Sequence, residues 1–584
     1  MKKLYSLLTV AFLMLFTVQC DVIDSDLLVS PNAVAPDNVD PDLLLNSIQF
    51  SARSVYSSAA TTGGQLTRMR YLFGSTYDNA YTPVGFNGIY QSAYSSQFID
   101  TKNLIALEDG ERGLSYHIGI AKVLKGASLM TIVDMFGDVP WSEALDATNF
   151  NPNLDSSADV YDAALALIDQ GMAELRKCLT TATADERAQC RAVPRNDLYY
   201  GTIASGDNRV NAWLRAANTF KLKGLLNMRH VRNVAAPINE IVASGLFISA
   251  PAHDFTFDFS TVDVNPDSRH PLFVGAYAAG VSGGNYMSNS YMNVLLNDKV
   301  GVFPNGDPRL RYYIYRQSLV NSNDPAIVSC LGSTPPGHFH PSDPYCQLVR
   351  GYNGRDFLVD DGLPPDGTIR ATFGVYPVGG QFDANQGVAI TASNGPDLGL
   401  RGAGFDPILM SSFTHFMLAE AVLTIPGVNG NAAQLMEQGV RLSLNTVRTF
   451  GASLANGTGF EMTNAGDDND VDTYVAVAMS RFNNPPAGSS QLNELVKEYY
   501  LALWPNGLEA FNAMRRTGFG VRTGGTSAQA GPLQPSRTPN PGDFYRTLPY
   551  PAALVIRNAN VESKTSNLVR TFWDARGNDT EFNF

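Results

Sequence analysis

The sequence has few of the long apolar segments from which membrane-spanning helices are built. Its one long apolar run, at 7–18, is shorter than the about 20 residues that a membrane-spanning helix needs, and no later segment approaches that length. The run follows Lys2 and Lys3 and ends just before Cys20, an arrangement typical of a secretory signal peptide. We therefore expect residues 1–19 to be a signal peptide and the rest of the chain to contain no transmembrane helix.

Basic residues are in deficit, with 42 Lys and Arg against 55 Asp and Glu. Because an acidic protein repels phosphate backbones and anionic lipid headgroups, this charge argues against a nucleic-acid partner and against electrostatic attachment to a membrane. A cysteine that closes a signal sequence is where bacterial lipoproteins are cleaved and acylated, so we expect Cys20 to carry a lipid anchor. Ordinary secretion is the alternative, since Gln19 is not the small residue that usually precedes such a cysteine.

Cysteines are few, with five in the whole chain. The four that follow Cys20 fall into two close pairs, Cys178 with Cys190 and Cys330 with Cys346. This spacing predicts two local disulfides in an oxidising cell envelope, although buried thiols would have the same spacing. There is no Cys-x-x-Cys and no closely spaced Cys/His quartet, which argues against a zinc site.

The motifs that mark common catalytic sites are missing. There is no His-Glu-x-x-His, no Gly-x-x-x-x-Gly-Lys and no dinucleotide fingerprint between a strand and a helix. Gly280–Gly284 has the letters of a Gly-x-Ser-x-Gly elbow, but the residues after it do not predict the helix that an elbow opens, which favours a flexible loop. We expect no catalytic residue and no cofactor. A pair of glycosidase carboxylates stays open, because their separation is a spatial quantity.

Possible metal ligands are weakly patterned. The acidic run 467–472 invites comparison with a calcium loop, but counted from Asp468 its sixth and twelfth residues are Thr473 and Met479. An EF-hand loop needs Gly and Glu at those positions, so a solvated acidic loop is the better interpretation. Two histidines, His338 and His340, lie in a Pro/Gly-rich loop with no carboxylate in register. We therefore predict no metal site.

Helical periodicity is what the sequence has in quantity. Over 113–136, apolar and small residues recur at steps of three and four in two adjacent rows, so this helix has more apolar surface than one neighbour can cover. Gly137 and Pro140 end it. A second helix at 158–177 has one apolar face, which predicts that the two form an antiparallel pair. Further amphipathic helices are predicted at 42–56, 88–107, 209–230, 235–244, 411–423, 431–450, 491–504 and 507–516.

Most of these helices are adjacent in sequence, which predicts helical hairpins of the tetratricopeptide type. The further predicted pairs are 209–230 with 235–244, 411–423 with 431–450, and 491–504 with 507–516. Their irregular spacing excludes a continuous solenoid, so the predicted fold class is mostly α: helical-hairpin repeats with an embedded loop-rich lobe containing short strands. Because no linker divides the chain, we expect a single domain over 20–584, with helical repeats at about 42–244 and 405–516 and the lobe at about 245–400.

Four stretches carry a resemblance to a known family. MFGDVPWSEAL at 135–145 is similar to the signature of the SusD/RagB family, surface lipoproteins of Bacteroidetes that bind nutrients beside an outer-membrane transporter. Gly306–Leu310, Trp504–Gly518 and Arg546–Pro551 resemble further landmarks of that family in the expected order. The resemblance implies a SusD-like fold over most of the chain. Landmark residues such as Arg515 are predicted to be fold-forming rather than ligand-binding.

The same resemblance implies a function and a partner. It predicts a cell-surface lipoprotein of the outer membrane that binds a glycan or another oligomeric nutrient and delivers it to a SusC-like TonB-dependent transporter. Two alternatives stay open: an oligopeptide-binding member of the same family, and a helical-repeat scaffold for protein interaction with no small ligand. The sequence does not distinguish a glycan from a peptide.

Sugar binding calls for aromatic rings that stack on C–H faces and for amides or carboxylates that bind hydroxyls. Two loops offer both, and similar regions of the family contribute ligand platforms. The first loop, within 71–94, contributes Tyr77, Asp78, Asn79, Tyr81 and Phe86; the second, within 283–291, contributes Asn285, Tyr286, Asn289 and Tyr291. These nine residues are the predicted ligand-binding set.

Overall fold

The structure is a computed structural model that describes residues 39–108, 112–191, 197–204, 206–278, 286–341, 343–360, 370–464, 470–519 and 535–575. The signal-peptide segment, Cys20, the glycine-rich 280–284 and the first half of the acidic run, 467–469, lie outside these residues. Helices dominate the described parts, which confirms the predicted mostly α fold class. None of the described helices combines the length and the apolar composition needed to cross a bilayer.

Ten α-helices in the described residues have ten or more residues, and we label them in chain order. They are α1 Pro41–Leu66, α2 Ser115–Phe136, α3 Ser157–Lys177, α4 Asp207–Met228, α5 Ala235–Ser244, α6 Ser411–Thr424, α7 Ala432–Ala455, α8 Val471–Asn483, α9 Gln491–Ala502 and α10 Gly507–Thr517. Shorter α-helices are Tyr77–Ala80, Asn87–Tyr90, Ile99–Ala106, Ala184–Ala188, Pro271–Phe273, Asn289–Asn297, Leu310–Tyr313 and Ala552–Arg557. Single turns of 3₁₀ helix lie at Pro83–Phe86, Pro251–His253 and Gly395–Asp397, and π-helical turns at Gln91–Phe98 and Val274–Ala278.

Helices α2 and α3 form the antiparallel hairpin that the sequence predicts. Nearly every residue of α2 is buried, as its two apolar rows require. The hairpin closes through glycines: a Cβ built on Gly171 would lie 2.6 Å from the carbonyl oxygen of Gly119, and one built on Gly126 would lie 2.6 Å from that of Ala164. Glycine at these positions lets the two backbones touch. Ser156 caps the N-terminus of helix α3, since its side chain accepts a hydrogen bond from Asp159 N.

The later helices differ from the predicted pairing at one point. Helix α5 packs on α4, and α7 on α6, as expected. Helix α10, in contrast, lies mainly against α1 rather than folding back on α9, and α9 packs against α6 and α8. The close packing of α10 on α1 depends on two glycines that are distant in sequence. A Cβ on Gly63 would lie 2.3 Å from the carbonyl oxygen of Gly507. The predicted hairpin of 491–504 with 507–516 is therefore wrong. Both helices exist, but the main partner of α10 is α1 and not α9.

All eleven residues of α10 are buried, including four that are charged or carry an amide. Glu509 pairs with Lys223 of α4 at 2.5 Å. Arg516 pairs with Glu420 of α6 through Nε at 2.8 Å. Asn512 donates to Asp134 of α2 at 2.8 Å, and Arg515 donates to the carbonyl of Arg546 at 2.7 Å. This helix therefore ties α2, α4 and α6 together.

The segment between α5 and α6 is irregular, as the predicted loop-rich lobe requires, and includes short strands. Strands β1 Phe255–Asp258, β2 Ile314–Arg316, β3 Ala371–Phe373 and β4 Phe405–Leu409 form two antiparallel pairs. β1 pairs with β4, with Phe257 opposite Asp406, and β2 pairs with β3, with Tyr315 opposite Thr372. Disulfides join Cys178 to Cys190 and Cys330 to Cys346.

The α2–α3 contact gives a stability prediction. Gly171→Ala should lower the free energy of unfolding by about 1 to 3 kcal/mol, because its methyl group would overlap the backbone of α2. Thermal unfolding measures this loss. Gly88→Ala is the control: it adds the same methyl group to a helix where nothing lies within 4 Å, so it should be neutral or stabilising by about 0.5 to 1 kcal/mol. Equal effects of the two changes would contradict the close packing.

Candidate functional site

The first predicted loop places its aromatic rings inside the protein. Tyr77, Tyr81 and Phe86 are buried. The ring of Tyr81 lies 5.5 Å from that of Tyr545, and the ring of Phe86 lies 6.0 Å from that of Phe136 at the end of α2. These rings join the C-terminal segment to the helices. The premise that they form an exposed stacking platform is wrong.

The second predicted loop is buried in the same way where the structure describes it, and Asn285 lies outside the described residues. The ring of Tyr291 stacks on Trp504 at 4.9 Å, and Tyr286 lies edge-on to Tyr71 at 5.8 Å. Asn289 is fully buried and donates to Asp356 at 2.8 Å. The position of these residues in a Gly/Asn-rich sequence suggested exposure, but distant aromatic partners cover them.

The two loops do meet, and part of the first stays accessible. Tyr71 and Tyr286 link them directly. Asp78 and Asn79 are exposed, and Asp78 accepts a hydrogen bond from the Tyr545 hydroxyl at 2.8 Å. Phe73 of the same loop, which the sequence analysis did not select, exposes 55% of its surface. We call Phe73, Asp78 and Asn79 the loop face; ligand contact at Asp78 and Asn79 stays a prediction.

An open cleft of about 440 Å³ lies elsewhere, where helix α7 meets strands β1 and β4. None of its residues is among those predicted from the sequence to bind ligand. On α7 four cleft residues fall at positions i, i+1, i+4 and i+5, which is one face of a helix. They are Asn445, Thr446, Thr449 and Phe450. The three polar residues of this face, on a helix whose other sides pack against α6, α8 and α9, are the signal that could have indicated the cleft.

Strand β1 supplies the opposite wall by simple alternation. Thr256 and Asp258 line the cleft, whereas Phe255 and Phe257 point into the core. The ring of Phe405 on β4 lies 5.1 Å from Phe450 and closes the floor. The remaining wall comes from Tyr199, Tyr200, Thr202 and Ile203 and from Pro251 and Ala252.

The cleft is acidic. Among the described residues that line it are two aspartates and no lysine, arginine or histidine. Asp254 accepts a hydrogen bond from Ser411 N at 2.6 Å, and burial raises the pKa of its carboxyl to about 7. Burial also raises the pKa of Asp258, whose Oδ1 accepts from the Thr256 hydroxyl at 3.0 Å. An anionic ligand would be repelled here, whereas hydroxyl groups find carboxylate, amide and hydroxyl partners beside an aromatic ring.

The helix-rich fold presents an open cleft, and sequence comparison identifies the family to which the chain belongs. A family model described as "Starch-binding associating with outer membrane" matches residues 31–328. A second, described as "Susd and RagB outer membrane lipoprotein", matches residues 406–570. The chain therefore belongs to the SusD-like family of nutrient-binding proteins. No curated protein sequence matches the chain.

Solved structures agree with the fold. A SusD/RagB family protein from Bacteroides thetaiotaomicron is 16% identical with a TM-score of 0.61, over 92% of this chain and 100% of that one. A SusD homologue from Bacteroides fragilis is 16% identical with a TM-score of 0.60, over 92% and 100%. A chitin-binding SusD homologue from Flavobacterium johnsoniae is 15% identical with a TM-score of 0.58, over 92% and 98%. At these identities the likeness establishes the fold alone.

The raised pKa of Asp254 predicts how stability depends on pH. Between about pH 4 and pH 7 the native state holds a proton on Asp254 that the unfolded chain has released, so this group removes stability as the pH rises through that window. Asp254→Asn should therefore raise Tm by about 2 to 4 °C at pH 8 and by less than half of that at pH 5, where only part of the window has been crossed. Scanning calorimetry at the two pH values tests this.

The matched control is Asp397→Asn, which removes an exposed carboxylate of the same type. This variant should give no difference in Tm that depends on pH. If Asp254→Asn changes Tm equally at pH 5 and pH 8, the carboxyl of Asp254 is not perturbed as described.

Proposed function

We propose that this protein is a lipid-anchored cell-surface receptor that binds an uncharged oligosaccharide in the cleft and delivers it to a SusC-like TonB-dependent transporter. The observation that carries the proposal is the lining of the cleft. Family membership supports the nutrient-binding role and the outer-membrane location, and the name of the chitin-binding homologue is consistent with a glycan ligand.

The cleft offers each of the contacts that a sugar ring uses. Phe450 provides an apolar surface for the C–H face of the ring. Asn445 and Thr449 provide an amide and a hydroxyl one helical turn apart, so that adjacent sugar hydroxyls have partners on one side. Asp258 faces them as a strong acceptor. A volume of about 440 Å³ accommodates a ligand of more than one sugar ring.

Ligand binding is tested with the chain lacking residues 1–20. Oligosaccharide and peptide libraries identify a ligand, and titration calorimetry then compares variants. Asn445→Ala should weaken binding by about fivefold through loss of a hydrogen bond, and Thr449→Trp should weaken it by more than about tenfold because the indole fills the cleft. Both variants should keep the Tm of the wild type, since neither side chain is buried in the core.

Two control variants test whether any loss of binding is specific to the cleft. Gln434→Trp adds the same indole to an exposed position of α7 outside the cleft, and should bind as the wild type does. Phe73→Ala removes the exposed ring of the loop face. If that change abolishes binding while the cleft variants do not, the ligand binds at the loop face instead. Recovery of intact oligosaccharide after incubation separates capture from hydrolysis by Asp254 and Asp258.

The proposed lipid anchor and the proposed transporter partner lead to a second prediction, which is tested in cells. Mass spectrometry should find the mature protein beginning at an acylated Cys20, and Cys20→Ala should release it from the outer-membrane fraction. Affinity purification of the wild type from native membranes should recover a large β-barrel transporter. An unmodified N-terminus would favour ordinary secretion, and recovery without any such partner would favour a free-standing binder or scaffold.

A further inference from the structure

A second pocket, of about 150 Å³, lies beside helix α1 and is separate from the acidic cleft. Helix α1 contributes one face to it at steps of three and four. These residues are Arg53, Tyr56, Ser57, Ala60 and Thr61. Arg70, His270 and Asp406 complete its polar lining. The pocket therefore contains two guanidinium groups and one carboxylate.

The nearest partners of the carboxylate are groups other than Arg70. Arg53 Nε donates to one oxygen of Asp406 at 2.7 Å. His270 Nε2 lies 3.4 Å from the other oxygen. His270 Nδ1 accepts from Leu272 N, so the neutral ring carries its proton on Nε2 and directs it at Asp406. Burial lowers the pKa of His270, which keeps that ring neutral. Arg53 and Asp406 thus cancel each other's charge.

Arg70 has no such compensation. Its Nη1 donates to the Thr61 hydroxyl at 2.8 Å, and its guanidinium lies 5.9 Å from the ring of Phe373. No carboxylate of the described residues forms an ion pair with it. Burial lowers the pKa of Arg70 to about 10, so the group still carries its charge at neutral pH. Gly64 makes room for this side chain, because a Cβ there would lie 3.1 Å from Arg70 Cδ.

A partly buried, charged guanidinium without an anion is unfavourable, and it presents several N–H donors to the pocket. The surrounding groups suit an oxyanion. The Thr61 hydroxyl accepts from Arg70 and keeps its own hydrogen to donate, and Ser57 supplies a second hydroxyl. The rim is open to solvent, since Pro271 is exposed and Leu272 is partly exposed. A small anion can therefore reach Arg70.

We propose that this pocket is an oxyanion-binding site, in which Arg70 binds a carboxylate, sulfate or phosphate group and Thr61 and Ser57 donate to its remaining oxygens. The site gives an otherwise acidic protein a specific place for negative charge, away from the cleft that repels it. Its ligand is either a free inorganic oxyanion or the acid group of a charged sugar. It does not depend on what the cleft binds.

The test compares anions on the full mature chain. Sulfate, phosphate, acetate and glucuronate are titrated at constant ionic strength against chloride, and Tm is followed. Because a ligand that binds only the native state stabilises it, the preferred anion should raise Tm saturably by about 1 to 2 °C. A preference for sulfate or phosphate indicates a free oxyanion, and a preference for glucuronate indicates an acidic sugar.

Variants make the assignment specific. Arg70→Met should lose the saturable response and, without any oxyanion, should raise Tm above that of the wild type, because an uncompensated, partly buried charge has been removed. Thr61→Val keeps the shape of the side chain and should weaken the response severalfold, which provides a test even if the first variant folds poorly. Arg441→Met, at an exposed position on α7, should respond as the wild type does. A saturable response retained by both Arg70→Met and Thr61→Val, or no response to any of the four anions, would overturn the proposal.

Discussion

The burial of helix α10 is the constraint on which much of this fold depends. An eleven-residue helix with Glu509, Asn512, Arg515 and Arg516 is enclosed on all sides, so each polar group needs a partner inside the protein. Breaking such a buried pair costs about 3 to 5 kcal/mol, because the remaining charge stays unpaired. Lys223 on α4 and Glu420 on α6 must therefore lie at fixed positions along the axis of α10. The pairing thus specifies the relative positions of helices that are far apart in sequence.

A helical framework fixed in this way determines where openings can lie. The paired helices present apolar faces to one another, and residues that face no partner helix are found where the helices meet the strands. The cleft forms at such a place: α7 packs on α6 with its apolar face and presents Asn445 and Thr449 toward β1. Because the walls are a long helix and a paired strand, the polar groups of the cleft are held in fixed relative positions. Fixed positions reduce the entropy that a ligand loses on binding.

Local periodicity predicted most of the helices but not all of their partners. The two apolar rows of α2 required burial on two sides, and the structure has it. The contact between Gly63 and Gly507 joins residues separated by most of the chain, so no local pattern indicated it. The nine predicted ligand residues illustrate a second limit. Aromatics in a loop-like sequence, such as Tyr77 and Tyr291, look the same whether distant rings cover them or not, and the cleft residues belong to elements that meet only in three dimensions.

Charged groups that have no oppositely charged partner in the described structure are as informative as those that form ion pairs. Asp298, Asp307 and Glu420 are buried carboxylates with basic partners, and these ion pairs serve the fold. Asp254 and Arg70 are different. Asp254 accepts a hydrogen bond from a backbone N–H, and Arg70 donates one to a hydroxyl, so the described partner of each is uncharged. Both face openings, and burial shifts the pKa of each toward its neutral form. A charge beside a cavity that lacks an oppositely charged partner can be completed by a ligand, which is the physical basis of both binding proposals. Under those proposals the opposite signs of the two groups separate the two openings by ligand: hydroxyl-rich, uncharged groups at Asp254 and oxyanions at Arg70.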